Sequence, residues 1–236
     1  MEGATVIVPI FNEEAVLART FAELHRYLTD SGRPYEMILG DDGSTDASRT
    51  IAERFARSDP KRIRVLGNAA NAGRGSILSA AFGEARMPIA AYIDADLEIG
   101  LESLGRLLAV LDRKEVVACT GSKLLTARGG RQTHRRMATR VLNALIRSIL
   151  HSKVTDHQCG LKGFRTEFLR PLLVEVREKR WAWDTEVLLL VQKRGVVVEE
   201  IPVEVTPKRK STVAFLPTTF LFLRKIFEFR KRGLTL

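Results

Sequence analysis

The chain has 236 residues, 45% of them hydrophobic, enough to bury a sizeable core as one domain or as one domain with an appendage. Its two cysteines, Cys119 and Cys159, have no metal-ligand spacing and read as reduced or buried thiols of a cytoplasmic protein. The N-terminus enters a strand pattern at once, against a secretory signal, and no run of about 18 apolar residues offers a membrane span. The formal net charge of +10 is unevenly held: residues 1–122 carry 14 Lys+Arg against 18 Asp+Glu, and residues 123–236 carry 24 against 10. A basic half joined to an acidic one points to a polyanion or an anionic membrane surface as partner. Nucleic acid is not expected, because zinc-finger spacing and RNP motifs are missing and aromatics make up only 7%.

Ala4 to Ile10 reads as a buried strand stopped by Phe11-Asn12-Glu13-Glu14, after which Val16, Leu17, Phe21, Leu24 and Leu28 fall on one helix face. Glu36 to Gly40 is a second strand. It ends in Asp41-Asp42-Gly43-Ser44-Thr45-Asp46, turn chemistry that also caps a helix starting near Ala47. Ile63 to Leu66 is a third strand, and Gly73 to Ala85 a third helix. Its entry, Asn71-Ala72-Gly73-Arg74-Gly75-Ser76, either lets backbone and helix N-terminus approach a phosphate or simply makes a turn. It is not a Walker A loop, and no GxGxxG follows the first strand, which argues against a dinucleotide oxidoreductase.

Met87 to Ile93 reads as a fourth strand running into Asp94-Ala95-Asp96-Leu97-Glu98. Carboxylates at i and i+2 on a strand end point the same way. Crowded, they call for a cation, and an all-oxygen site suits Mg²⁺ or Mn²⁺ shared with a diphosphate; the plain alternative is a solvated turn. Val116 to Thr120 is a fifth strand. The β-α-β-α order predicts an α/β fold with a mostly parallel central sheet flanked by helices, and ligands gather outside the carboxyl ends of such strands. From His134 to Leu150, Met137, Val141, Leu142, Leu145 and Ile149 share one face, while Arg136, Arg140, Asn143 and Arg147 share the other. That is the profile of a membrane-interface helix, and Phe215 to Phe229, closed by Arg230-Lys231-Arg232, is a second candidate. Core or dimer packing is the alternative for both.

Four blocks, Val8 to Glu14, Asp41 to Asp46, Asn71 to Gly75 and Asp94 to Asp96, resemble the inverting GT-A (nucleotide-diphospho-sugar transferase) glycosyltransferases. Gly121-Ser122-Lys123, Asp156 to Arg165 and Trp181 to Glu186 resemble one branch, the dolichyl-phosphate and polyprenyl-phosphate sugar synthases, with wording nearer the glucosyl than the mannosyl members. The match runs from about residue 4 to 212. It implies a catalytic domain over 1–212, including the 134–150 interface helix, and a basic amphipathic segment over 213–236 at the membrane interface.

The resemblance implies that Pro9, Phe11 and Glu13 line the nucleotide pocket and that Asp41 meets the base. Asp42 sits beside the nucleoside or supports its loop, and Gly73 and Arg74 belong to the same site. Asp94, Ala95 and Asp96 face the sugar diphosphate, with Asp96 on the metal, Asp94 beside it, and Glu98 as either a third ligand or a helix-start acid. Asp184 falls where relatives acting on hydroxyl acceptors keep a general base; here it orients sugar or acceptor, or caps a helix through Val187 to Lys193. Lys123, Arg136, Arg140 and Lys210 are expected around the acceptor phosphate, Lys123 standing where the family usually has Arg. The implied activity is transfer of a hexose, glucose favoured, from a nucleoside diphosphate sugar (UDP-glucose or GDP-mannose) to a polyprenyl or dolichyl phosphate. Transfer to a saccharide hydroxyl with Asp184 as base is the enzymatic alternative, and a binding module with a lapsed site the non-enzymatic one. The expected location is the cytoplasmic face of a membrane, peripherally bound.

Overall fold

The computed structural model describes residues 1–126, 133–206 and 215–236, without the side chains of 133–136, 138 and 215–221. Four parallel strands form its first half: β1 (Ala4–Ile10), β2 (Tyr35–Asp41), β3 (Ile63–Gly67) and β4 (Ile89–Ile93). With β5 (Ala118–Ser122), β6 (Leu161–Arg165) and β7 (Val198–Pro202) they make one sheet in the order β3-β2-β1-β4-β6-β5-β7. The chain steps outward from β1 to β3 and then returns to place β4 on the other side of β1. That reversal opens a crevice at the carboxyl ends of β1 and β4. Pro9 fits there without loss. The pairing of β1 with β4 ends at Ile7 opposite Tyr92, so a residue lacking an N–H breaks no ladder bond on that side.

Helices α1 (Glu14–Asp30), α2 (Ser48–Ser58) and α4 (Leu101–Leu111) cover one face of the sheet. Leu17, Phe21, Leu24, Ala52, Leu104, Leu107 and Leu111 pack there against Val6, Val8 and Ile10. Helices α3 (Arg74–Gly83), α6 (Thr166–Leu172) and α7 (Trp183–Lys193) cover the other, where Phe82 and Trp183 meet Ile7, Ile38 and Tyr92. The alternation of Val6, Val8 and Ile10 with Ile7 between the two cores is the period-two signature of a strand buried on both sides. Cys119 and Cys159 are buried free thiols, and burial pushes the Cys159 thiol up to about 12.

Strand β6 runs antiparallel to both neighbours, the one departure from a parallel sheet. It sets Leu161 opposite Ile93 and Lys162 opposite Tyr92, so the loop before β6 is delivered to the end of β4. A third core joins α5 (Thr133–Leu150), α7 and α8 (Phe215–Lys231) through Ile146, Leu150, Leu189, Leu190, Phe222, Ile226 and Phe229. The described end of the 213–236 segment therefore packs against the 1–212 portion as part of this core. No described helix is long and apolar enough to cross a membrane.

Candidate active site

The loops after β1 and β2 are laced together at the carboxyl edge of the sheet. Asn12, at a left-handed φ of 54°, accepts from Thr45 N (2.8 Å) and donates its own N–H to Ser44 Oγ (3.0 Å). Glu13 N donates to Ser48 Oγ at 2.8 Å. Asp46 Oδ1 accepts from Ser48 N at 2.9 Å, a turn leading into α2 rather than the expected cap, since the N-cap residue is Ala47 and has no capping side chain. Phe11 is left exposed at the mouth of the crevice, and Pro9 is buried behind it. Asp41 is wholly buried and accepts from Ser44 N, with Arg49 Nη1 at 3.9 Å. Asp42 takes the loop-supporting role: its carboxylate accepts from Asn68 Nδ2 (2.7 Å), Ala72 N (3.0 Å) and Gly73 N (2.9 Å).

The acidic edge lies one strand away. Thr20 on α1 donates to the carbonyl of Ala95 at 2.6 Å, and Asp96 Oδ1 accepts from Glu98 N at 3.0 Å. Leu97 turns the chain at a φ of 47°. Gly160 lies so close to Asp94 that any Cβ there would collide with Oδ2. Glu98 is not a helix-start acid: α4 begins three residues later, and Glu102 fills its first turn. Among the described residues no group of three or more His, Cys, Asp or Glu is gathered to hold an ion, so Asp94, Asp96 and Glu98 do not form a cage.

Behind this edge sits a charged network of four side chains, two of which the sequence did not single out. Arg74 donates Nη2 to Asp94 Oδ1 (2.6 Å) and Nη1 to Asp184 Oδ2 (2.8 Å), with its guanidinium 4.8 Å above the Tyr92 ring. Asp184 Oδ1 accepts from the Tyr92 hydroxyl and lies 3.0 Å from Lys162 Nζ. Lys162, with no exposed surface, also donates to Cys159 O at 2.6 Å. Burial would raise the Asp184 carboxyl, but Lys162, Arg74 and the Tyr92 hydrogen bond outweigh it and hold it below its ordinary value. Burial likewise opposes the charge on Arg74, yet Asp94, Tyr92 and Asp184 keep it well above the usual range. Tyr92 is driven up by burial and by Asp184, so it is a firm donor. Asp184 is thus an anchored anion inside the first turn of α7, and it does not cap that helix.

At the glycine entry to α3 both glycines face packed protein. Gly73, at a φ of 108°, has the carbonyl of Lys179 where a Cβ would go, and Gly75 has the Trp183 side chain. Ser76 N donates to Lys179 O at 3.0 Å. The missing side chains admit protein, and it is the Arg74 side chain that reaches the acidic edge. Trp181, half exposed, sits with its ring 5.8 Å from the Arg74 guanidinium.

Lys123 donates Nζ to Gln158 O (2.6 Å) with Asp156 Oδ2 at 3.9 Å, so it borders the 156–160 loop. Arg140 is exposed on α5. The Arg136 side chain and Lys210 lie outside the described residues.

Each of the two amphipathic helices has one side in the third core and one side exposed among its described residues. On α5 Asn143, Ile146 and Leu150 are buried, and Leu142, Leu145 and Ile149 of the expected apolar face pack partly buried against the third core. Asn143, from the expected polar face, turns inward, and its Oδ1 accepts from the buried His157 N at 2.8 Å. His157 Nε2 pairs with Ser152 Oγ, and burial together with Lys162 drops this imidazole to about 3, so it is neutral. Met137 (56%) and Val141 (52%) on α5 and Phe227 (53%) on α8 remain exposed, beside Arg140, Arg224 and Arg230 on the same helices.

Solved structures share this architecture. Mannosyl-3-phosphoglycerate synthase from Rubrobacter xylanophilus superimposes with a TM-score of 0.76 at 15% identity, covering 98% of this chain and 75% of that one. Glucosyl-3-phosphoglycerate synthase from Mycobacterium tuberculosis, in complex with Mn²⁺, UDP and glucosyl-3-phosphoglycerate, gives 0.68 at 19%, covering 96% and 77%. The mostly parallel, helix-flanked sheet is the GT-A fold. Residues 5–173 match the model for Glycosyl transferase family 2, and the chain belongs to that family.

Three curated relatives carry the comparison further. Glycosyltransferase AglD of Haloferax volcanii is 35% identical over 214 residues, 89% of this chain and 34% of that protein. Dolichyl-phosphate beta-glucosyltransferase ALG5A of Trichomonas vaginalis is 26% identical, over 85% of this chain and 64% of its own length. Undecaprenyl-phosphate 4-deoxy-4-formamido-L-arabinose transferase of Edwardsiella ictaluri is 28% identical, over 73% and 52%. The chain spans between a third and two thirds of these proteins.

Proposed function

We propose that the chain is a glycosyltransferase that moves one hexose, glucose by preference, from a nucleoside diphosphate sugar to a dolichyl or polyprenyl phosphate, inverting the anomeric centre. The state of Asp184 carries the choice of acceptor. A hydroxyl acceptor must surrender a proton, which calls for a base of adequate pKa within reach. Asp184 is instead enclosed by Arg74, Lys162 and Tyr92, with a depressed carboxyl, and is a weak, occupied base. A phosphate monoester is already anionic and needs none. The relatives named for dolichyl-phosphate and undecaprenyl-phosphate substrates support the same class.

Each part of the site has a task in that reaction. Phe11 and Glu13 border the nucleotide, while Asp42 fixes the 68–73 loop beneath it. Arg74 pins Asp94 and thereby ties the acidic edge to the buried Asp184. In-line positioning and charge stabilisation, more than proton transfer, are what such a site supplies. Hard carboxylate oxygens at Asp94 and Asp96 fit Mg²⁺ or Mn²⁺, and with no protein cage the ion would draw its other ligands from the donor diphosphate and water. Asp96 would be its principal protein ligand, with Asp94 and Glu98 adjacent. The bound ion would neutralise charge on the leaving diphosphate.

Lys123 and Arg140, with Arg136 and Lys210, would meet the acceptor phosphate and anionic headgroups. The exposed Met137, Val141 and Phe227 would enter the lipid surface, holding the protein peripherally at the cytoplasmic face. The test is a donor and acceptor matrix: UDP-glucose or GDP-mannose, each against undecaprenyl phosphate, dolichyl phosphate and a free saccharide. UDP-glucose with a prenyl phosphate should turn over fastest. Transfer to the saccharide alone would overturn the assignment, and preference for GDP-mannose would move the donor to the mannosyl branch.

A further inference from the structure

The loop of residues 176–182 is held from two sides that have no sequence proximity. Its inner side closes on the first turn of α3: Lys179 O accepts from Ser76 N and fills the space at Gly73, and Trp181 lies beside Arg74. Its outer side is gripped by Glu186, a carboxylate with no exposed surface. Glu186 accepts from Arg177 N (3.1 Å) and Glu178 N (2.6 Å), and its Oε1 also accepts from Arg232 Nη2 at the end of α8. Lys225 on α8 adds a contact of 2.9 Å to Glu178. Removing the cationic partner of a buried carboxylate such as Glu186 leaves an uncompensated charge against the loop. The end of α8 is itself fastened, with Lys193 Nζ on Gly233 O at 2.6 Å and Leu236 N on Leu150 O at 3.0 Å.

We infer that Arg232 is a positioning residue for the donor site: through Glu186 it fixes the 176–182 loop, and through Lys179 and Trp181 that loop fixes Gly73 and Arg74. The inference rests on the donor-site reading above. It gives helix α8, whose outer face carries Phe227, Arg224 and Arg230, a mechanical link to the acidic edge. The same link explains why the Trp183-Asp184-Thr185-Glu186 run carries two buried acids facing different ways. Asp184 holds Arg74 directly, and Glu186 holds the loop that covers it.

The chain's two tryptophans allow this to be read without any substrate. Trp183 is buried and stacked on Phe82 at 5.8 Å, whereas Trp181 is 51% exposed. Acrylamide quenching of the full chain therefore reports mainly on Trp181. Arg232→Met should steepen the quenching, Arg232→Lys should restore it in part, and Trp181→Phe should abolish the difference between Arg232→Met and wild type. If the loop then occupies its closed position in only a tenth of molecules, UDP affinity in calorimetry falls about tenfold. Should Arg232→Met fail to fold, the double variant Glu186→Gln/Arg232→Met removes the stranded charge and is read in the same way. A folded variant with wild-type quenching and wild-type UDP affinity would overturn the inference. If wild type binds neither UDP nor GDP, the donor reading fails, while the quenching comparison still decides whether Arg232 sets the loop.

Discussion

Replacing Lys162 with methionine isolates the buried network. The side chain has no exposed surface, and its Nζ lies 2.6 Å from Cys159 O, 3.0 Å from Asp184 Oδ1 and 3.2 Å from the Tyr92 hydroxyl. Methionine roughly preserves volume, so the overpacking and cavity costs are small and the loss is electrostatic. Removing one partner of a buried pair costs about 3–5 kcal/mol. Arg74 and Tyr92 stay on Asp184, which puts the loss at the lower end, about 3 kcal/mol. At about 2–4 °C per kcal/mol for a chain of this size, Tm should fall by roughly 6–12 °C.

The pH dependence has a definite sign. A carboxylate depressed in the fold stabilises above its unfolded pKa, and that stability is lost as pH falls through its folded value. Without Lys162 the folded value rises, so the deficit against wild type should be largest near neutrality and shrink in acid. Calorimetric unfolding of wild type, Lys162→Met and Lys162→Met/Asp184→Asn between about pH 4 and 8 measures this, with the double variant recovering part of the loss. A Lys162→Met protein with wild-type Tm at every pH would show that the network carries no weight.

Asp96→Ala should remove metal-dependent turnover by orders of magnitude while leaving circular dichroism unchanged, and full activity in EDTA would contradict the assignment. Lys123→Ala should weaken use of the prenyl phosphate more than binding of UDP, with Lys123→Arg retaining activity; equal losses would mean that it only braces the 156–160 loop through Gln158. The triple change Met137→Ser, Val141→Ser and Phe227→Ser alters only exposed positions, so it should cut flotation with anionic liposomes and leave Tm unmoved. Unchanged flotation would place lipid contact elsewhere.

Much of this was legible in the sequence, for reasons that differ element by element. Strands β1 to β4 were read from short apolar runs, and the three polar clusters at their ends from turn chemistry. Helix α4 carries the same kind of signal, Leu104, Leu107, Leu108 and Leu111 at helical spacing. Strand β6 was hidden because Lys162 and Gly163 break its apolar pattern, and a lysine facing inward has no periodic signature. Its only clue was its place between Leu161 and Phe164, two fully buried residues. Tyr92 was read as one more strand hydrophobe, since its hydroxyl matters only once β6 and α7 are beside it. On α5 the apolar side was legible in Leu142, Leu145 and Ile149, but not the burial of Asn143, because a one-dimensional pattern cannot reveal that the backbone N–H of His157 waits for it. The apolar stripe of α8 was visible, but not the third core that takes Phe222, Ile226 and Phe229.

The account turns on an acceptor that brings its own negative charge, and a pair of acceptors differing only there tests it. Undecaprenyl phosphate and undecaprenol, presented in the same detergent with UDP-glucose and Mg²⁺ or Mn²⁺, differ by the phosphate alone. The account predicts a β-linked lipid phosphosugar from the first and no transfer to the second. Glycosylation of the free alcohol at a comparable rate, abolished by Asp184→Asn, would make Asp184 a working base and contradict it.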